Sequence, residues 1–569
     1  MKLAVHVAVI GLLASTAVAQ QAPATPQTQP SYRDEGAVIE QSKTLFVFDA
    51  DGTGRREVYV KIRAESEAGV QQWGQVVAGY NAANETLELP LVRVTKHDGT
   101  IVDTPATNVQ DLTSQVQRIA PEYTDFREKH VAVESFRPGD TLEVRMVTTV
   151  RTPYAPGQFW GDYDFNDSGI VLDEQLDLDV PAARQLIVRS RKGLDPVVTE
   201  TQGRRRYHWA SSHKVREDPD KKKESAEAAE PQPPAVRFTS FADWRQVGEW
   251  FGSLETAARV VTPEIRAKAQ QLTAGKATDL AKLEALYNYV STNFRYVSLS
   301  LGAGRYQPRA AADVLSTQYG DCKDKHTLLA ALIDAAGLHA SAVLINPLLK
   351  LDPDFPSPSQ FNHVITRAVA NGEPVWLDTT EEIAPFRMLP SVLRDKQALL
   401  ISGASSRLER TPATNAEPSY VAVDFSGKLD ESGALTGHVQ SSFRGDAELM
   451  LRSAFRAVPS AQWKEMVEGL AKAWGLKGDF SNWHVSDPVA MKDPFAVNFD
   501  VRNPSFVTWG ATHLDLDLPL SRFISTGELP DEDSKVPLKL REISTVSATL
   551  RLEFPAGATP SVPMAVNIE

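Results

Sequence analysis

The sequence predicts a multidomain α+β protein, with an N-terminal β-sandwich, a central domain mixing helices and strands, and a C-terminal β-rich domain. Two observations predict it. Hydrophobic alternation of period two dominates before residue 213, gives way to helical spacing near residue 262, and returns from about residue 402. The 569 residues, 42% apolar and 23% charged, are also enough for several cores, roughly three or four domains by length.

Residues 1–19 carry a lone Lys2, an apolar run over 3–13 and then Ala17-Val18-Ala19. This positive, apolar, small-residue order is that of a secretory signal peptide cleaved before Gln20. The expected location is therefore the periplasm or the medium, with no membrane span after cleavage. No cysteine follows the apolar run to carry a lipid. Residues 20–41 begin with Gln, Pro, Ala and Thr and read as a flexible leader.

Residues 42–213 form the predicted β-sandwich, with alternating segments at 57–62, 86–94, 141–147 and 185–188 and turn signals such as Asp98-Gly99. Asp49-Ala50-Asp51-Gly52-Thr53-Gly54 starts like a calcium loop, but the twelfth position is Val60, where a bidentate Glu belongs, so a hairpin turn is expected. Residues 214–236 hold Lys221-Lys222-Lys223-Glu224 and Pro231-Gln232-Pro233-Pro234, a linker with little to bury.

The central domain is expected over 237–401. Thr262-Pro263-Glu264 has the order of a helix start, and Leu280, Leu283, Leu286, Tyr287 and Val290 make a helical apolar stripe. Residues 402–569 form the third domain, with one clear helix carrying Trp463, Val467, Leu470 and Trp474 and stopping at Gly475.

The net charge of −13, from 73 acidic and 60 basic residues, argues against a nucleic-acid partner. Cys322 is the only cysteine and has no disulfide partner within the chain. In Tyr319-Gly320-Asp321-Cys322-Lys323-Asp324-Lys325-His326 it opens a helix capped by Asp321, with Leu328, Leu329, Leu332 and Ile333 following and Gly337 as the stop. A thiol in a first turn, beside Lys323 and Lys325, is expected to favour thiolate. A buried apolar filler, the commoner fate of a lone cysteine, would have apolar neighbours instead.

Two histidines compete as its partner. His326 is four residues on, on the same helical face. Neither it nor any other spacing supplies a metal-ligand set, and no metal or cofactor is expected. His363 precedes Asn371-Gly372, the strongest short hairpin signal, and Val375-Trp376-Leu377-Asp378 follows. A two-residue turn sets Ala370 opposite Glu373, Ile365 opposite Asp378 and His363 opposite Thr380. His363 and Asp378 are then diagonal neighbours on one face, roughly 7–8 Å apart along the backbone.

The stretch from Tyr289 to Asp378 resembles the bacterial transglutaminase-like superfamily. The resemblance rests on Phe294-Arg295-Tyr296-Val297, Tyr306-Gln307-Pro308, Ala312-Asp313-Val314-Leu315, the Cys322 segment, His363 and Trp376-Leu377-Asp378. It implies a papain-like core with Cys322, His363 and Asp378 as a catalytic triad and His326 as a bystander on a polar helix surface. The flanks resemble uncharacterised β-rich domains that accompany such cores. Lys323 departs from the Trp that follows the nucleophile in eukaryotic tissue enzymes, so their specificity does not carry over.

The chemistry implied is acyl transfer from a protein or cell-wall peptide amide through a Cys322 thioester. An amine acceptor gives cross-linking and water gives peptidase or amidase action. The Cys322 backbone N–H is one expected oxyanion donor, and Gln307 or Tyr306 a second or a substrate-positioning group. The competing class is a non-catalytic envelope-binding scaffold.

Overall fold

The computed structural model describes residues 32–114, 125–166, 168–215, 231–297, 303–509 and 544–559. The expected signal peptide (1–19), most of the leader and residues 216–230 of the linker lie outside them.

The N-terminal domain is built on an eight-stranded sheet with Ala37–Phe48 and Gly54–Ala64 at its centre. Phe48 pairs with Gly54 across the turn that the aborted calcium motif suggested, and Gly52 there takes a φ of 89°. Ala37–Phe48 also runs parallel to Ile170–Pro181. Two three-stranded sheets complete the sandwich. Gln75–Asn81, Phe126–Ala132 and Val109–Thr113 form one, joined to the large sheet through Ile39, Ile62, Val76, Val131 and Leu142. Ile187–Ser190, Val236–Thr239 and Trp160–Tyr163 form the other, packed through Phe48, Leu176, Trp209, Val236 and Phe238.

The domain edges differ from the expected ones for a packing reason. Val38 and Ile39 are buried, so the first strand starts inside the expected leader. Val236–Thr239 lies at the junction of expected linker and central domain, yet it is the middle strand of an N-terminal sheet, with Val236 and Phe238 both 0% exposed. Alternation over four residues is too short to stand out beside a proline-rich run.

In the central domain the helix Cys322–Ala335 is the axis of the core. Its Leu328, Leu329, Leu332 and Ile333 pack against Ile265 and Ala269 of helix Pro263–Thr273, Leu283, Leu286 and Tyr287 of helix Asp279–Asn293, and Val314 of helix Ala311–Thr317. The other side meets an antiparallel sheet in the order Glu373–Leu377, His363–Ala370, His339–Ile345, Gln397–Leu400, Arg407–Arg410. The last strand extends the core past residue 401, because Leu408 pairs with Leu399 and packs on the central cluster.

The C-terminal domain is a five-stranded sheet, Asp479–Val485, Phe495–Asn503, Leu435–Arg444, Ser419–Leu429 and Ser544–Glu553, with helices Asp446–Ala457 and Trp463–Ala473 packed on it. The expected stripe holds: Val467 and Trp474 are buried, Trp463 and Leu470 pack on the same cluster, and Gly475 ends the helix at φ 85°. Asp446 fastens this domain to the centre by accepting from the Ser391 amide and from Arg394.

Candidate active site

Asp321 makes the turn on which Cys322 sits. Its Oδ1 accepts from the Lys323 and Asp324 amides at 3.1 and 3.2 Å, its carbonyl takes the Lys325 amide, and Asp324 reaches back to the Asp321 amide. This capping box satisfies the amides behind Cys322. The Cys322 N–H itself, at the first helical position, has no acceptor among the described residues. The thiol is half-buried against an apolar cluster that includes Trp250, Tyr306 and Val364.

The two lysines beside Cys322 are both buried. Lys323 is 4% exposed and its ammonium is paired with Asp321, while Lys325 is fully buried and donates to the carbonyls of Ser291 and Phe294. Burial holds Lys325 down to about 8, against the pull of Glu382 and Asp378. Burial, reinforced by Asp324, pushes Asp321 up to about 7 despite Lys323.

His326 is not on a polar surface either. It is 1% exposed, with Nδ1 2.7 Å from Thr366 Oγ1 and Nε2 3.1 Å from Glu255 Oε1, and Glu255 continues to Arg259 and Asp334. Both ring nitrogens are committed to this buried network, which ties helix to sheet. Helical spacing placed His326 correctly relative to Cys322, but the face it marks is covered by helix Trp244–Ala258.

The hairpin has the register read from Asn371-Gly372. Both residues take positive φ, 54° and 84°, and the ladder runs from Ala370 opposite Glu373 to Thr366 opposite Leu377. One step beyond that ladder, His363 Nε2 lies 3.0 Å from Asp378 Oδ2. Asp378, 2% exposed, has its other oxygen held by the amide and hydroxyl of Thr380 at 2.9 and 2.7 Å. The Cys322 side chain also acts on this imidazole, and with Nε2 engaged by Asp378 the nitrogen left for sulfur is Nδ1.

Burial alone would lower the His363 pKa, but Asp378 and then Cys322 outweigh it and hold the imidazole well above its ordinary range. Burial would raise Asp378, and the charge and hydrogen bonds of His363 and Thr380 instead hold it below the usual carboxylate range. The two shifts agree in direction: each favours the imidazolium–carboxylate form of the pair. Tyr287, read from sequence only as a stripe residue, also contributes; its hydroxyl donates to the carbonyls of Asp378 and Ala384 at 3.2 and 3.0 Å. An apolar stripe gives no sign that a ring carries a useful hydroxyl.

Tyr306 and Gln307 stand apart from this line. Tyr306 Oη accepts from Trp160 Nε1 at 3.1 Å, and Gln307 is exposed beside it. Among the described residues neither hydrogen-bonds to Cys322 or His363. No cluster of three or more His, Cys, Asp or Glu that could hold a metal occurs among the described residues, and no helix there is long and apolar enough to cross a membrane.

Residues 266–366 match the model of the transglutaminase-like superfamily. The central domain belongs to that superfamily. The matched segment of this transglutaminase-like domain contains Cys322 and His363, and Asp378 lies beyond its end. Residues 50–215 match a domain of unknown function with solved structure, DUF3857. The fold is shared with a "putative protease" from Parabacteroides distasonis, at 14% identity and a TM-score of 0.56 over 82% of this chain and 93% of that one. A "putative cysteine protease" from Cytophaga hutchinsonii, at 13% identity over 45% of this chain and 80% of that one, superposes only to a TM-score of 0.21. No curated protein matches the chain.

Proposed function

We propose that the protein is a cysteine acyltransferase acting on peptide or protein amide bonds. One observation supports the reading: the His363 imidazole is held by the buried Asp378 carboxylate at 3.0 Å, and its charge state responds to the Cys322 side chain. Cys322 sulfur attacks the amide carbonyl carbon, with its own proton held on His363. The C–N bond breaks as the imidazolium gives that proton to the leaving amine, and a thioester remains. An acceptor amine or water then attacks the thioester, passes a proton to His363 and releases the cysteine. Asp378 orients the ring and stabilises its charged form throughout. The Cys322 N–H is the available oxyanion donor at the helix start.

The same residues serve transfer and hydrolysis. The hydrolytic outcome has its own support in the fold shared with the Parabacteroides protein, which is described as a "putative protease". Incubation of wild-type and Cys322→Ala protein with casein and a labelled primary amine separates the two. Amine incorporation that depends on Cys322 supports transfer, and cleavage without incorporation supports the hydrolase. Neither product would sink both and return the protein to a binding role. Export remains part of the proposal and is tested by N-terminal sequencing of protein recovered from the periplasm or medium.

A further inference from the structure

Between the N-terminal and transglutaminase-like domains lies a half-open cleft of about 240 Å³. The N-terminal domain supplies Ala83, Asn84 and Tyr154 to its wall, and the central domain supplies Trp250, Leu254 and Tyr306. The polar tips of the rings are already engaged. Trp250 Nε1 donates to the Tyr154 carbonyl at 2.9 Å, Asn81 Nδ2 donates to Tyr154 Oη at 3.2 Å, and Trp160 donates to Tyr306 Oη. Ring centroids 5.3–5.4 Å apart fix Tyr306 against Trp250 and Tyr154, so the wall is largely apolar ring and aliphatic carbon.

Three further observations indicate what the cleft takes. Trp250 and Tyr306 belong to the packed cluster against which Cys322 lies, so one layer of side chains has the cleft and the thiol at its edges. No charged side chain lines it, the Arg305 guanidinium standing 5.2 Å from the Tyr306 ring centroid, so a charged group entering it would give up water for an apolar wall. Its volume falls below the roughly 300–1,000 Å³ of sites that enclose a whole cofactor or drug-sized ligand, and suits one large side chain. Asn84, 6% exposed, is fixed in the wall by its Nδ2, which donates to the Thr152 carbonyl at 3.1 Å.

We propose that this cleft is a substrate subsite that receives a large apolar side chain, of the Phe or Leu class, from the peptide whose amide Cys322 attacks. The N-terminal domain is then part of substrate selection. The inference rests on the acyl-transfer reading for the identity of the reacting amide, and its test is separable from that reading.

The probes are the peptides Ac-Ala-Ala-Xaa-Ala-Ala-NH2 with Xaa Phe, Leu, Lys or Asp, titrated by tryptophan fluorescence into the full-length Cys322→Ala protein. The Phe and Leu peptides should bind at least about tenfold tighter than the Lys and Asp peptides, the discrimination a single apolar pocket gives. Ala83→Trp, on an exposed turn of the N-terminal domain, and Leu254→Trp, from the opposite wall, should each fill the cleft and erase the preference. A melting temperature kept within a few degrees shows that either variant has folded. Equal affinities, no binding by any peptide, or a preference surviving in both filled variants would overturn the subsite. Preferential binding without turnover by the Cys322 protein would refute the acyl-transfer reading alone.

Discussion

His363 Nε2 and Asp378 Oδ2 lie 3.0 Å apart, just outside the last paired residues of a hairpin whose turn is Asn371-Gly372. Asp378 holds the His363 pKa up, and the folded state therefore binds this proton more tightly than the unfolded chain does. That stabilisation is fully present below the ordinary histidine pKa and is lost as pH rises through the folded value. Asp378→Asn should flatten this alkaline decline, read from urea midpoints across pH. It should also cost turnover about 10²–10⁴-fold, the range expected when the orienting carboxylate goes. An unchanged pH dependence together with unchanged turnover would show that the pair does not govern the histidine.

The two histidines should separate cleanly. His326→Ala removes a buried ring bonded to Thr366 and Glu255 and should cost about 2–4 kcal/mol of stability. Iodoacetamide labelling of Cys322, measured well below the melting transition, should stay within about twofold of wild type. His363→Ala should slow labelling at pH 6 by at least about tenfold, and because it leaves the buried Asp378 unpaired it should also cost a few kcal/mol, so labelling is the readout that separates the two. Equal effects on labelling would make His326 part of the nucleophile's machinery.

Asp321 is both helix cap and partner to a buried ammonium. Asp321→Ala should therefore lose about 1 kcal/mol for the cap and several more for leaving Lys323 unpaired. Asp321→Ser restores a capping oxygen without the charge and should recover only the smaller part. Full recovery by Ser in chemical denaturation would show that the Lys323 pair contributes little.

Lys325 gives a second pH signature. Burial lowers its folded pKa to about 8, so between there and its ordinary value near 10.4 the unfolded chain binds more protons and stability rises with pH. The rise should amount to about 2–3 kcal/mol and be absent in Lys325→Met. Unfolding curves at pH 7.5, 9 and 10 on both proteins measure it, and parallel curves would contradict the assignment.

What was legible in the sequence was whatever depends on local geometry. The Asn371-Gly372 turn fixed register, and register fixed the His363 and Asp378 faces, because a two-residue loop leaves no slack. Asp321 and Cys322 were readable as cap and first turn for the same reason. The failures concern what covers a face. His326 was read as lying on a polar helix surface, yet it is buried against Glu255, and Lys323 and Lys325, read only as charges beside the thiol, are buried with partners supplied by the chain nearby or far away. Tyr306 and Gln307 were read as oxyanion or substrate-positioning groups; Tyr306 lies in the cluster Cys322 packs against, and both line the wall shared with the N-terminal domain. That wall needs Ala83 and Tyr154, which no spacing rule connects to Cys322.

The strand Val236–Thr239 gives the chain an unusual seam. It follows the proline-rich stretch, yet it bridges Ile187–Ser190 and Trp160–Tyr163, while Thr239 Oγ1 also donates to the Pro356 carbonyl at 2.9 Å. Two polypeptides divided between residues 215 and 231 would thus not be two domains, for the second piece would carry the strand that the first piece's small sheet lacks. Such halves are suited to complementation: separately incomplete, and recombining by restoring one four-residue strand.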